Sequence, residues 1–165
     1  LIWEEKLDCR LNIVGWAEPK DPTPDMIKEL AAKWKVSDKV IFHGKKSVGE
    51  ELFSFYQKAD IFILASQVAE GFPRTIWEAL ANSVPIISTA VGSIPIFLKD
   101  RSEVLLVEQR NAADIVKKVK ILVEDAELRK RMIKNGLRRV DEVTLEVQAK
   151  KIADTMEDYL RSLKS

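Results

Sequence analysis

The chain has 165 residues, 46% of them apolar and 32% charged, which is the composition of a globular protein large enough to bury a core. Its 27 basic and 26 acidic residues leave a formal net charge of +1, so no bulk positive field is available to hold nucleic acid. One cysteine and one histidine exclude a disulfide framework and a zinc site built from sulfur and imidazole, and no apolar run is long enough to span a membrane. These features predict a cytoplasmic protein with no transmembrane segment and no nucleic-acid partner.

Short apolar stretches alternate with amphipathic stretches along the chain, which predicts strands alternating with helices. The strands are expected at residues 11–14, 40–42, 61–64, 84–87 and 104–107. The helices are expected to begin at caps near residues 23 and 47 and to cover 73–82, 112–124, 126–140 and 145–163. The third strand is apolar at every position, as strands are when helices cover both faces of a sheet. This alternation predicts an α/β fold, a Rossmann-like parallel sheet in three layers that binds ligands at the carboxyl ends of its strands.

Residues that commonly cap helices mark the expected helix starts. Thr23 is expected to cap the first helix with Pro24 in its first turn, and Ser47 and Glu50 have the spacing of a capping box. The segment 92–95 is expected to form a turn before the fifth strand. The expected N-caps of the last three helices are Asn111, Asp125 and Thr144.

Common catalytic and nucleotide-binding motifs are absent from the sequence. No G-x-G-x-x-G follows the first strand, and no G-x-S-x-G elbow occurs anywhere. Gly44 and Gly49 have the spacing of a P-loop, but Glu50 and Glu51 replace its Lys-Ser/Thr, which argues against ATPase chemistry. The only histidine, His43, is interpreted as a structural residue at a strand end.

The most informative stretch is SQVAEGFPRTIWEALA, which follows the third strand. It leads through a turn at Gly71 into a helix, so that backbone N–H groups at the positive helix terminus form a natural seat for a diphosphate. Arg74 and Thr75 would add a charge and a hydroxyl. Glu70 and Glu78 flank this turn, where one carboxylate would accept hydrogen bonds from sugar hydroxyls and the other from a ribose. The alternative that both are ordinary solvated glutamates stays open at this point.

This stretch resembles the two-glutamate, seven-spacer motif of retaining GT-B glycosyltransferases of family 4, which have glycogen synthase and sucrose synthase as relatives. The pattern Glu70-Gly-Phe-Pro…Glu78-Ala-Leu-Ala carries the likeness, and the neighbouring segments agree with the family in order. The agreeing segments are residues 40–44, 59–66, 84–89 and 91–95. Because the likeness extends from about residue 11 to residue 159, it is more specific than two spaced glutamates. It implies the C-terminal, nucleotide-sugar-binding half of such an enzyme.

The resemblance implies a role for each matching residue. Glu70 would be the catalytic residue that holds hydroxyls of the donor sugar, and Glu78 would bind the ribose of the nucleotide. Gly44 and Ser66 would line the pocket for the base. The donor sugar and its diphosphate would meet the backbone around Gly71, Phe72, Arg74 and Thr75. The implied function is a hexosyltransferase-type transfer, with retention, from a nucleoside-diphosphate sugar to an acceptor hydroxyl, without a metal or another cofactor.

The sequence departs from the family pattern at two places. Ser93 replaces the second of two adjacent glycines, and Ile96 stands where glutamate is common. The strand and basic loop that open the family's domain, and the whole N-terminal domain, are not found upstream of Leu7. Residues 1–165 are therefore predicted to be a single donor-binding domain that is inactive alone. The missing domain would bring the acceptor, a saccharide or a lipid-linked glycan, and peripheral association with the inner face of the membrane stays open for the full-length enzyme.

Two alternatives remain at the level of sequence. One is another GT-B enzyme, a nucleotide-sugar epimerase or a phosphorylase, although an epimerase is not expected to have this glutamate spacing and no pyridoxal-binding lysine context is found. The other is a non-catalytic or degenerate α/β nucleotide-binding module, which would keep the fold without the transfer reaction.

Overall fold

A computed structural model describes residues 2–4, 7–68 and 71–163 of the chain. The chain divides into two compact units, Leu1–Phe55 and Tyr56–Ser165. Every strand pairing in both units is parallel, and helices connect the strands. The predicted α/β class is therefore confirmed, with the strands forming two parallel ladders, one in each unit.

The first unit is built around a two-stranded parallel ladder. Its elements are β1 (Leu11–Val14), α1 (Thr23–Lys33), a short 3-10 helix (Ser37–Lys39), β2 (Val40–Gly44) and most of α2 (Glu50–Gln57). Leu11 lies opposite Val40, and the register shifts between Ile13 and Val14. The ladder is extended by one more bond, in which the N–H of Gly15 donates to the carbonyl of Gly44 at 3.0 Å.

Two predicted helix starts in this unit are wrong in detail. Thr23 does not cap α1 but is its first residue, and its own N–H donates to the carboxylate of Asp21 at 2.9 Å. Asp21 binds the backbone two residues ahead, as aspartate commonly does in turns, and the N-cap position is occupied by Pro22, which makes no side-chain cap bond. At α2 the backbone N–H of Ser47 donates to Glu51, at 2.9 Å, rather than to the predicted Glu50. The helix begins at Glu50, so the side chain that reaches back is the next one along.

In its described residues, 56–68 and 71–163, the second unit contains a three-stranded parallel ladder and five helices beyond α2. Its elements beyond α2 are β3 (Phe62–Leu64), α3 (Arg74–Ala81), β4 (Ile86–Thr89), α4 (Ile94–Phe97), β5 (Val104–Val107), α5 (Ala112–Glu124), α6 (Ala126–Asp141) and α7 (Leu145–Ser162). The ladder order is β3-β4-β5, with Ile86 paired to both Phe62 and Val104. All four residues of the central strand β4 are buried, because α3 and α5 also contact it.

Most of the sequence-based boundaries in this unit are confirmed. Asn111, Asp125 and Thr144 each accept a hydrogen bond from the backbone N–H three residues ahead, at 2.9, 2.8 and 3.4 Å. Strand β4 begins two residues later than predicted. The segment expected to be only a turn contains α4, because Pro95 is compatible with the first turn of a helix. Helix α7 has an apolar stripe, but none of its residues is buried.

Helix α3 is held closely against α6 in the core of this unit. Ile76, Ala79 and Leu80 form the buried face of α3, while Leu128 and Met132 do the same on α6. At Gly136 of α6, a Cβ atom would lie only 2.7 Å from Cδ2 of Leu80. A side chain at position 136 would therefore force the side chain of Leu80 to move.

We expect Gly136→Val to lower the free energy of unfolding by about 2 kcal/mol, since overfilling a packed core forces side chains and backbone to shift. Gly136→Ala should lower the free energy of unfolding by less, because alanine has a helix propensity about 1 kcal/mol more favourable than that of glycine. Urea unfolding followed by circular dichroism measures both variants. A Gly136→Val protein as stable as the parent would contradict the close packing of α3 on α6.

Candidate functional site

The loop after β3 and the start of α3 carry most of the residues predicted to bind a ligand. Glu70 lies outside the described residues, so the structure does not test its predicted role. Helix α3 begins at Arg74 and is preceded by Pro73, which makes no side-chain cap hydrogen bond. The first N–H groups of an α-helix have no acceptor within the helix. Arg74 and Thr75 are both exposed at this end of α3.

Glu78 is the predicted site residue whose surroundings are best defined. Only 12% of the Glu78 side chain is exposed. Each of its two carboxylate oxygens has a partner. The phenol of Tyr56 donates to Oε2 at 3.0 Å, and Nε of Arg74 lies 3.0 Å from Oε1. Helix α3 turns Glu78 toward Tyr56, while Arg74 lies one turn earlier at the solvent side. Glu78 is therefore not an ordinary solvated glutamate.

Tyr56 is a site residue that sequence reasoning missed. The helical spacing of α2 predicts only that Tyr56 faces inward, and it is indeed buried. Burial, together with the hydrogen bond to Glu78 and the charge of that carboxylate, raises the pKa of Tyr56 above its usual range. Tyr56 therefore keeps its proton and stays a hydrogen-bond donor at physiological pH. The sequence did offer one indication of this role, because a tyrosine that is expected to be buried usually needs a hydrogen-bond partner for its hydroxyl.

Ser93, noted above as a departure, contacts the glycine turn directly. Its hydroxyl donates to the carbonyl of Gly71 at 2.6 Å, and its backbone N–H donates to the same oxygen at 3.5 Å. A glycine at position 93 could make only the second, longer bond. The peptide group is planar and trans, so the N–H of Phe72 points away from Ser93 on the opposite side of the same peptide. Ser93 thus fixes the direction of an amide at the entrance to α3. Ile96, the other departure, is exposed on α4.

The side chain of Phe72 belongs to an aromatic cluster. Its ring stacks on Trp77 with centroids 4.7 Å apart and meets the edge of Phe97 at 5.4 Å. The three rings line a cavity of about 510 Å³. Residues of the last two helices and their connection complete it: Arg139, Glu142, Val143, Gln148 and Lys151. Any contact of Phe72 with a diphosphate would therefore be made by its backbone.

The two residues predicted to line a base pocket lie in different units. Ser66 is in the second unit, where the hydroxyl of buried Thr89 donates to its carbonyl at 2.7 Å and ties the loop after β3 to β4. Gly44 ends β2 in the first unit with a φ of +68°, a conformation that favours glycine. His43 beside it shares a hydrogen bond of 2.9 Å with Asn12 and lies against Phe55, in keeping with a structural role.

Within residues 2–4, 7–68 and 71–163, no group of three or more His, Cys, Asp or Glu side chains is placed to hold a metal ion. In the same ranges no helix has both the length and the apolarity needed to cross a bilayer.

The family of the chain follows from its match to a family model. Residues 1–139 match the model described as glycosyl transferases group 1. The chain belongs to this glycosyltransferase family. One relative is the D-inositol 3-phosphate glycosyltransferase of Corynebacterium aurimucosum, which is 32% identical over 126 residues. That match covers 75% of this chain but only 30% of the relative, so the chain spans about a third of the relative's length.

Solved structures of glycosyltransferases share the fold of this group 1 chain. Anabaena HepE in complex with UDP superimposes with a TM-score of 0.79 at 18% identity, over 91% of this chain and 41% of HepE. The C-terminal domain of the group 1 protein LpcC from Francisella tularensis gives a TM-score of 0.69 at 22% identity, over 84% of this chain and 88% of that domain. At these identities the comparisons establish a common fold.

We expect Ser93→Ala to lower the free energy of unfolding by about 1 kcal/mol, the usual net contribution of one hydrogen bond. The amide resonance of Phe72 should also broaden or shift in NMR spectra, because its peptide group loses the shorter of its two hydrogen bonds to residue 93. Ser54→Ala is a matched control, since the Ser54 hydroxyl bonds a carbonyl of its own helix. Unchanged stability together with an unchanged Phe72 resonance would show that Ser93 does not hold the turn.

Proposed function

We propose that this chain is the donor-binding C-terminal domain of a retaining GT-B glycosyltransferase of family 4. In this proposal it binds the nucleoside diphosphate part of a sugar nucleotide at the start of α3. The observation that carries the proposal is the partly buried carboxylate of Glu78, held by Tyr56 and lying one helical turn from Arg74. Membership of the group 1 family, a UDP-bound protein of the same fold, and the overlap with a C-terminal domain support it.

The diphosphate would lie at the N-terminus of α3. There the backbone N–H groups and the helix dipole favour negative charge, and the guanidinium of Arg74 adds a full positive charge. The amides of Phe72 and Thr75 would donate to the same group, and Gly71 allows the backbone to approach it. Glu78 would accept hydrogen bonds from ribose hydroxyls. Ser66 would contact the base, and the contact expected of Gly44 stays a prediction.

The transfer reaction would draw on these groups electrostatically. The bond between the sugar C1 and the diphosphate oxygen breaks, and the electron pair leaves with the diphosphate. A new bond forms between C1 and the acceptor oxygen, whose proton passes to the departing diphosphate. Donors fixed at the start of α3 stabilise the charge that develops on the diphosphate, and Glu70 would hold hydroxyls of the sugar. In this proposal no metal or cofactor is required, because Arg74 and the helix terminus supply the positive charge.

The rest of the reaction is proposed to depend on sequence beyond this chain. An N-terminal domain would bring the acceptor, a saccharide or a lipid-linked glycan, and further basic residues for the diphosphate. The whole enzyme would be a hexosyltransferase acting in the cytoplasm, with its acceptor deciding whether it works at the inner face of a membrane. A non-catalytic module of the same fold is the remaining candidate, and the two experiments below separate it from a donor-binding domain.

Glu78→Gln should weaken binding of a nucleoside diphosphate about tenfold, since a hydrogen bond to a charged group is lost. Calorimetric titration with UDP, GDP and ADP identifies the base and measures the loss. The 2′,3′-dideoxy form of the preferred nucleotide should bind the variant no more weakly than the parent. Glu157→Gln is the control, because Glu157 is an exposed glutamate paired with an arginine four residues away. Equal loss with the dideoxy nucleotide would refute the ribose assignment.

The 165-residue chain alone should bind a sugar nucleotide but not turn it over. UDP-glucose, GDP-mannose and ADP-glucose incubated with the chain and simple sugar acceptors should release no nucleoside diphosphate above the buffer blank. Steady transfer would show that this chain carries the complete reaction. Absence of any nucleotide binding by the folded chain would instead favour the non-catalytic module.

A further inference from the structure

The ion pair between Arg74 and Glu78 lies across the site at which the proposed ribose contact would form. Each oxygen of Glu78 already has a partner, Tyr56 at Oε2 and Arg74 at Oε1. Tyr56 is buried, whereas 76% of the Arg74 side chain is exposed, so solvent reaches the carboxylate from the Arg74 side. A ribose that approaches from solvent therefore meets the guanidinium of Arg74 before it meets Oε1.

The two partners of Glu78 differ in how easily they can be displaced. The phenol of Tyr56 is a buried donor that would be left unpaired without Glu78, and leaving such a group unsatisfied is unfavourable. The Arg74 pair is exposed to water and joins residues four apart on one helix, a class of ion pair that contributes little to stability. The bond to Tyr56 is therefore the fixed contact, and the bond to Arg74 is the replaceable one.

A second acceptor for Arg74 is expected within reach of its side chain. Arg74 is the first residue of α3, and the proposed diphosphate seat is the N-terminus of the same helix. A diphosphate carries more negative charge than a carboxylate and offers paired oxygens that match the guanidinium fork. The diphosphate would thus compete with Glu78 for Arg74, whereas a nucleoside without phosphate would have nothing to offer it.

We propose, on the basis of the donor-binding function above, that donor binding exchanges the partners of Glu78. Arg74 leaves Oε1 for the diphosphate, the ribose hydroxyls take the vacated oxygen, and Tyr56 holds Oε2 throughout. Arg74 thereby makes the ribose contact conditional on the diphosphate, so that the site selects nucleoside diphosphates over nucleosides. Tyr56 is a positioning residue in this exchange and touches no ligand.

The exchange predicts opposite effects of one substitution on two ligands. Arg74→Gln should weaken binding of UDP about tenfold, because the diphosphate loses its cation. The same substitution should tighten binding of uridine up to about fivefold, because Arg74 no longer occupies the Glu78 oxygen that the ribose hydroxyls need. ADP with adenosine and GDP with guanosine are titrated in the same way. The prediction is judged on the pair whose base the protein prefers. Calorimetry serves for the diphosphates and ligand-observed NMR for the nucleosides.

Two further variants separate exchange from a general loss of the site. Tyr56→Phe should weaken binding of the diphosphate and of the nucleoside by the same factor, since Glu78 is held less firmly in both complexes. Arg161→Gln should change neither, although Arg161 matches Arg74 in exposure (76%) and in pairing with a glutamate four residues away. In the parent protein, the Nε–H NMR signal of Arg74 should move when UDP is added and stay in place when uridine is added.

The outcomes distinguish this inference from the proposed function. If no nucleotide binds the folded parent chain, the proposed function itself is wrong. If nucleotides bind but Arg74→Gln weakens diphosphate and nucleoside alike, or changes neither, the exchange is wrong and the donor-binding function stands. An Arg74 signal that does not respond to UDP overturns the exchange as well.

Discussion

The packing of one face of α3 into the core governs the geometry of everything on its other face. Ile76, Ala79 and Leu80 are buried, and Leu80 lies against the backbone of α6 at Gly136. A helix seated this closely has little freedom to rotate or slide, because packed cores resist small displacements. Arg74 and Glu78 therefore take their positions from hydrophobic contacts on the far side of the helix. The candidate site is in this sense an outcome of core packing.

Much of the fold could be predicted from local patterns. The apolar runs gave all five strands, although β4 was placed two residues early, and Asn111, Asp125 and Thr144 were predicted as N-caps because the bond they make is local. The errors at Thr23 and Glu50 are also local, since in each case a neighbouring carboxylate binds a backbone N–H group at the start of the helix. Such competition between adjacent polar side chains is decided by backbone angles that composition does not specify.

The candidate site was harder to predict than the fold. The stretch around Gly71 was found from its glycine turn and its resemblance to a family, but the contacts of Tyr56 and Ser93 were missed. Tyr56 meets Glu78, and Ser93 meets Gly71, each across 22 residues of sequence. Helical or strand periodicity contains no information about partners at that distance. Ser93 is an example: it departs from the family's pair of adjacent glycines, yet its side chain makes a hydrogen bond to the site.

The exposed last helix has a consequence for how the second unit unfolds. None of the 18 residues of α7 is buried, while α6 immediately before it contributes Leu128 and Met132 to the core. An isolated helix of this length is marginal in water, so α7 depends largely on its own backbone bonds and on the cap at Thr144. Cooperative stability therefore ends near the junction of α6 and α7. Fraying of α7 and melting of the sheet are separate events with different free energies.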